Sequence, residues 1–136
     1  MDKIEHIGIA VRDLGESSRL YERLLGYESY KQEKVESENV ITGFFRVGES
    51  KLELLQASSD KSAIAGFIEK RGEGVHHIAF AVENITHEMA RLKAEGFQLL
   101  SDVPKKGADN KLVCFVHPKT ANGVLIELCQ EISDQI

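Results

Sequence analysis

Four residues carry the chemistry that this sequence can offer: His6, Glu53, His77 and Glu127. They fall in two stretches that each occur twice. His6-Ile7-Gly8-Ile9-Ala10-Val11 returns as His77-Ile78-Ala79-Phe80-Ala81-Val82, 71 positions later. Leu52-Glu53-Leu54 returns as Ile126-Glu127-Leu128, 74 positions later. Each half therefore carries one imidazole near its start and one carboxylate near its end. Two imidazoles and two carboxylates are a donor set for a borderline or fairly hard divalent ion, and Co, Ni, Mn, Fe and Zn all qualify. With no thiolate in the set, a closed structural zinc site is disfavoured. Four protein ligands on an ion that favours six leave two positions for a chelating substrate. Taken singly, a histidine at a strand start or a glutamate on an open sheet face is ordinary; their equivalence in a duplication is the signal.

The elements that must position these residues also repeat. Residues 3–11 and 75–82 are rich in Ile and Val and alternate, as strands do. Asp13 caps a helix over about 16–25 that Gly26 ends, with Leu20, Leu24, Tyr21 and Leu25 on its apolar face. Asn84 or Thr86 caps a helix over about 86–95 that Gly96 ends, with Ile85, Met89 and Leu92 at helical spacing. Three strands follow in each half, at 27–34, 39–47 and 50–56, then at 97–101, 111–117 and 123–130. Gly48-Glu49-Ser50 and Asn122-Gly123 supply turns. Each half reads β-α-β-β-β, and residues 60–71 form a connecting helix with Ile64, Phe67 and Ile68 apolar.

Strand alternation fixes directions. His6, Gly8 and Ala10 share one face, and His77, Ala79 and Ala81 share the corresponding one. Glu53 and Glu127 point away from their aliphatic neighbours. All four residues thus lie opposite the bulky apolar face of their strands, on a face otherwise lined by small side chains. Alternation gives direction and not distance, so their convergence on one centre is an expectation.

Composition narrows the rest. A chain of 136 residues, 42% hydrophobic, suits one domain with an ordinary core. The expected organisation is a single domain over 1–136, with module 1 at about 1–58, the connecting helix at about 60–71 and module 2 at about 73–131. The net charge of −5 and the lack of a basic stripe argue against nucleic-acid and membrane-surface partners. No apolar run approaches the ~20 residues of a membrane span, and the first residues are not a signal peptide. Cys114 and Cys129 belong to no CxxC motif and read as buried free thiols. A reducing cytoplasm is the expected location. No glycine-rich phosphate loop supports nucleotide hydrolysis or hydride transfer.

These features resemble the vicinal oxygen chelate superfamily and, within it, the methylmalonyl-CoA epimerases. The resemblance is carried by EHIGIAVRDL at 5–14, SAIAGFIEKRGEGVHHIAF at 62–80, His117-Pro118-Lys119, and GVLIEL at 123–128. It runs over nearly the whole chain. Glyoxalase I proteins more usually carry an Asp-Pro-type turn where this chain has His-Pro-Lys. The resemblance implies an α+β fold, two tandem βαβββ modules forming one vicinal oxygen chelate domain with a metal-centred cleft. It implies His6, Glu53, His77 and Glu127 as ligands of one divalent ion, with Co first and Ni, Mn or Zn as alternatives, and no other cofactor. His77 rather than His76 is the ligand, because it aligns with His6; His76 faces the helix side or a strand end, and His87 and His117 are assigned no ligand role. The implied reaction interconverts (R)- and (S)-methylmalonyl-CoA by α-proton abstraction through a metal-stabilised enolate, with Glu127 as the better base and Glu53 as the second. An acyl-CoA substrate and a homodimer follow from the same resemblance. Lys105, Lys111 and Lys119 are candidates for the CoA phosphates, or are solvated loop lysines.

The chain departs from the family pattern in places. Thr42 stands where one type of epimerase has an acid on the third strand. The usual Gly-Ala-His-Gly loop is Gly107-Ala108-Asp109-Asn110, a Gly-Gly is Asn122-Gly123, and a common proline is replaced at Gln56-Ala57. The rival readings are a glyoxalase I-type lactoylglutathione lyase and a non-catalytic ligand-binding member of the superfamily. An extradiol dioxygenase needs two His and one carboxylate, and Glu53 argues against it.

Overall fold

A computed structural model describes residues 1–133. Its contacts group these residues into two units: His6–His76, and Met1–Glu5 together with the described residues from His77 onward. Among the described residues, three α-helices and eight strands make up the mixed α/β fold.

The first unit contains most of β1 (Lys3–Ala10), α1 (Leu14–Leu25), β2 (Lys31–Val35), β3 (Val40–Val47), β4 (Ser50–Ala57) and α2 (Ala63–Arg71). Its strands lie in the order β2-β3-β4-β1. β4 runs antiparallel to β3 and parallel to β1. The Asp13 carboxylate accepts from the Glu16 N–H at 2.9 Å and caps α1, satisfying one of the donors that a helix start leaves open. Gly26 closes the helix in the left-handed region at φ 89°, which glycine adopts without a Cβ penalty. The helix begins two residues earlier than its apolar pattern predicts. Its buried face is also different: Leu14, Tyr21 and Leu25 pack with Val11, Phe45 and Leu54, while Leu20 and Leu24 are exposed. Leu14, Ser18, Tyr21 and Leu25 follow the 4-3-4 spacing of one helix face, and Leu20 and Leu24 fall one residue off it.

The second unit contains the start of β1, then most of β5 (Gly74–Ala81), α3 (Ile85–Ala94), β6 (Lys105–Lys106), β7 (Lys111–Val116) and β8 (Ile126–Glu131). The order is β5-β8-β7-β6, with β8 parallel to β5 and antiparallel to β7. The Asp2 N–H donates to the Ala81 carbonyl at 2.9 Å, which ties the first residues to this unit. Asn84, not Thr86, caps α3 through the His87 N–H at 3.0 Å. Ile85, Met89 and Leu92 then pack with Val82, Cys114, Val116 and Leu128.

Two strand expectations are corrected. Residues 27–30 are not strand, and β2 starts at Lys31. Residues 97–101 form only an isolated bridge, Leu99 to Val116. Leu100 N–H still reaches the Phe115 carbonyl at 2.9 Å, and His117 N–H the Gln98 carbonyl at 2.8 Å. The ladder breaks at 101–104, where Pro104 lacks a donor, and resumes for two residues at Lys105–Lys106.

Candidate metal centre

The duplicated histidines and glutamates sit at matching register positions. In the first unit Gly8 of β1 pairs with Glu53 of β4. In the second, Ala79 of β5 pairs with Glu127 of β8. His6 and His77 lie two residues before those small partners, on the same face. Each imidazole is thus the diagonal neighbour of a carboxylate on the adjacent parallel strand, and the residue between them has little or no side chain.

This placement brings the polar atoms together within each unit. His6 Nε2 lies 3.3 Å from Glu53 Oε1. His77 Nε2 lies 3.1 Å from Glu127 Oε1. All four side chains are buried, at 6%, 6%, 3% and 7% exposure. Burying a carboxylate is costly unless it is paired. The repeated juxtaposition of an imidazole nitrogen with a carboxylate oxygen answers that cost in each unit. The chemistry of the set, one imidazole and one carboxylate per unit with no thiolate among them, fits a borderline to hard divalent cation.

The neighbours differ between units. In the second, the Phe115 ring stands edge-on to His77 at 5.9 Å and 87°. The Cys129 thiol donates to Glu127 Oε2 at 3.3 Å. The buried Glu5 carboxylate lies within 4.8 Å of Cys129 Sγ. In the first unit, Phe44 is the register partner of Glu53, and Thr42 follows on the same face opposite Leu55. Thr42 is buried, and its hydroxyl donates to the Glu33 carbonyl at 3.3 Å.

The remaining candidates fall elsewhere. His76 stacks edge-on against Phe67 of α2 at 5.0 Å, on the helix side as its alternation predicts. His87 is exposed on α3. His117 accepts the Lys119 N–H at 3.0 Å through Nδ1 and caps a short 3₁₀ turn. Lys105 and Lys119 are exposed, while Lys111 is buried on β7 in register with Glu131. Cys114 and Cys129 are both buried free thiols.

Sequence reasoning missed a second duplicated device. Gln56 and Gln130 each follow the site glutamate by three residues. Gln56 Oε1 accepts the Leu14 N–H at 2.6 Å, and Gln130 Oε1 accepts the Ile85 N–H at 2.7 Å. Each glutamine therefore ties the end of the glutamate-bearing strand to the first turn of its unit's helix. The identical offset from Glu53 and Glu127 is the signal that could have exposed them.

The comparisons with known proteins agree with this architecture. The profile of the glyoxalase/bleomycin resistance protein/dioxygenase superfamily matches residues 5–115. The ethylmalonyl-CoA/methylmalonyl-CoA epimerase of Cereibacter sphaeroides is 40% identical, over 94% of this chain and 97% of its own. The chain belongs to the methylmalonyl-CoA epimerase family of that superfamily. Solved structures extend the match. The methylmalonyl-CoA epimerase of Streptomyces coelicolor, in a variant form complexed with 2-nitronate-propionyl-CoA, is 33% identical with a TM-score of 0.94, covering 98% of this chain and 96% of that one. A methylmalonyl-CoA epimerase complexed with methylmalonyl-CoA and ammonium gives the same identity, score and coverage. As a member of this epimerase family, the chain carries the vicinal oxygen chelate fold. No described helix is long and apolar enough to cross a membrane.

Proposed function

We propose that this protein is a metal-dependent methylmalonyl-CoA epimerase, interconverting the (R) and (S) forms of the thioester. The observation that carries the reading is the duplicated imidazole–carboxylate pair, His6 with Glu53 and His77 with Glu127, in a chain of this family. The four residues would hold one divalent ion, cobalt first, with nickel, manganese or zinc as alternatives. When bound, that ion supplies Lewis-acid stabilisation of the negative charge that develops on the substrate, worth several kcal/mol.

The chain's own residues do the proton work. Epimerisation breaks the α-C–H bond, moves its electron pair into an enolate, and then forms a new C–H bond on the opposite face. Glu127 takes the proton from one face. Glu53, its duplicated counterpart, enters the cycle protonated and delivers that proton to the other face, and exchange with solvent after product release resets the two groups. A positioned carboxylate contributes roughly 10²–10⁴-fold to such a transfer. Burial of both groups excludes water, and that strengthens every charge interaction around them. The Phe115 edge limits the motion of the His77 ring. The basic side chains Lys105 and Lys119 are exposed and suit contact with the phosphates of CoA. A homodimer is the expected assembly.

The test is to incubate the cobalt-loaded protein with (S)-methylmalonyl-CoA and to follow formation of the (R) epimer. Formation of an equal mixture of epimers is the expected result. No conversion, together with formation of S-lactoylglutathione from methylglyoxal and glutathione, would replace this reading with the lyase one.

A further inference from the structure

The duplication is broken beside one of its two carboxylates. Glu127 shares its strand face with Cys129, two residues on. The Cys129 thiol donates to Glu127 Oε2 at 3.3 Å, while Glu127 Oε1 faces His77 Nε2 at 3.1 Å. The two oxygens of one carboxylate are thereby given different partners. In the first unit the equivalent position is Leu55, which pairs with Ala10 and Thr42 as Cys129 pairs with Ala81 and Val113. Leucine has no donor, so the side chain two residues beyond Glu53 supplies no such hydrogen bond.

We propose that Cys129 is a positioning residue for Glu127: its S–H holds Oε2 and so presents Oε1 on the imidazole side. A carboxylate rotates about its terminal torsion with little preference between orientations, and a donor fixed on a strand removes that freedom. Cys129 is 1% exposed and packs with Ala79 and Val113, so the donor is itself held. Glu127 is thereby oriented by a donor that the first unit does not supply at the equivalent position, Leu55. The effect on turnover rests on the epimerase reading, since it requires that Glu127 handle the substrate proton.

The experiment compares Cys129→Val, Cys129→Ala and Cys129→Ser with the unaltered protein. Val keeps apolar volume and loses the donor, Ala is a second donor-free variant should Val overpack, and Ser restores an O–H donor. Cobalt(II) is titrated and its visible d–d absorption recorded, which needs no turnover. A hydrogen bond of ordinary net strength corresponds to a roughly 2- to 10-fold weaker cobalt affinity and an altered band shape in Val and Ala, with Ser restoring both to within about twofold. kcat for methylmalonyl-CoA falls by the same factor in Val and Ala at unchanged KM, and Ser recovers it. Equal losses in Ser and Val would assign the effect to packing and overturn the proposal, as would a Val protein identical to the parent. If the parent binds cobalt but turns over no methylmalonyl-CoA, the epimerase reading falls, while the cobalt titration still decides the role of Cys129.

Discussion

His77 Nε2 and Glu127 Oε1 lie 3.1 Å apart on adjacent parallel strands, both side chains more than nine-tenths buried. The contact exists because Ala79 stands opposite Glu127 and presents only a methyl group between the two. The same relation joins His6 and Glu53 across Gly8. A geometry repeated at matching register positions reflects the duplication rather than a local accident.

The first prediction separates the two adjacent histidines. His77→Ala removes a proposed ligand and leaves the Glu127 carboxylate buried without its imidazole. It should abolish stoichiometric cobalt binding and reduce epimerisation by at least ~10²-fold. His76→Ala loses only the edge-on contact with Phe67, worth ~0.5–1.5 kcal/mol, and should bind one equivalent of cobalt. Metal analysis after gel filtration reads both. A His76 variant without metal and a His77 variant with metal would exchange the assignments.

Metal removal gives the second. Chelation should abolish epimerisation, and added cobalt should restore it. Because the ion binds the folded state, a ligand at ~100 times its Kd adds about 2.7 kcal/mol to stability. Thermal melting should therefore rise by several degrees on cobalt addition. An unchanged midpoint with saturating cobalt would count against the four-residue set.

The third concerns the glutamine ties. Gln56→Ala and Gln130→Ala each release a helix N-terminal N–H, at Leu14 and Ile85. Losing a cap of this kind costs ~1 kcal/mol, so each should lower the chemical-denaturation free energy by about that amount. Cobalt stoichiometry should remain one per chain in both. Loss of metal in either variant would show that the glutamine orients the site strand as well as the helix.

Much of this was legible in the sequence, and the misses have physical causes. Repeats and alternation placed the central strands, the Asp13 cap and the glycine helix ends, and narrowed the α3 cap to Asn84 or Thr86, because those signals are local. The α1 face was misplaced at Leu20 and Leu24, since Leu24-Leu25 offers two overlapping registers and only the packing against Phe45 selects Tyr21 with Leu25. The strand expected at 97–101 failed because apolar Phe97 and Leu99 are partly buried by packing, not by a continuous ladder. At the site, direction was readable and distance was not: alternation pointed the histidines and glutamates the right way, but the 3.1 and 3.3 Å contacts depend on inter-strand register. Cys129 was read only as a buried thiol, although its i, i+2 relation to Glu127 was available.

Wash-in of deuterium at the α-carbon tests the central claim most directly. Methylmalonyl-CoA is incubated in D₂O with the cobalt-loaded protein, the chelated protein and the Glu127→Ala variant, and α-deuterium is read by mass spectrometry. Incorporation by the cobalt-loaded protein alone, with the other two at background, is the predicted result. Full incorporation by Glu127→Ala, or none by the cobalt-loaded protein, would contradict the account.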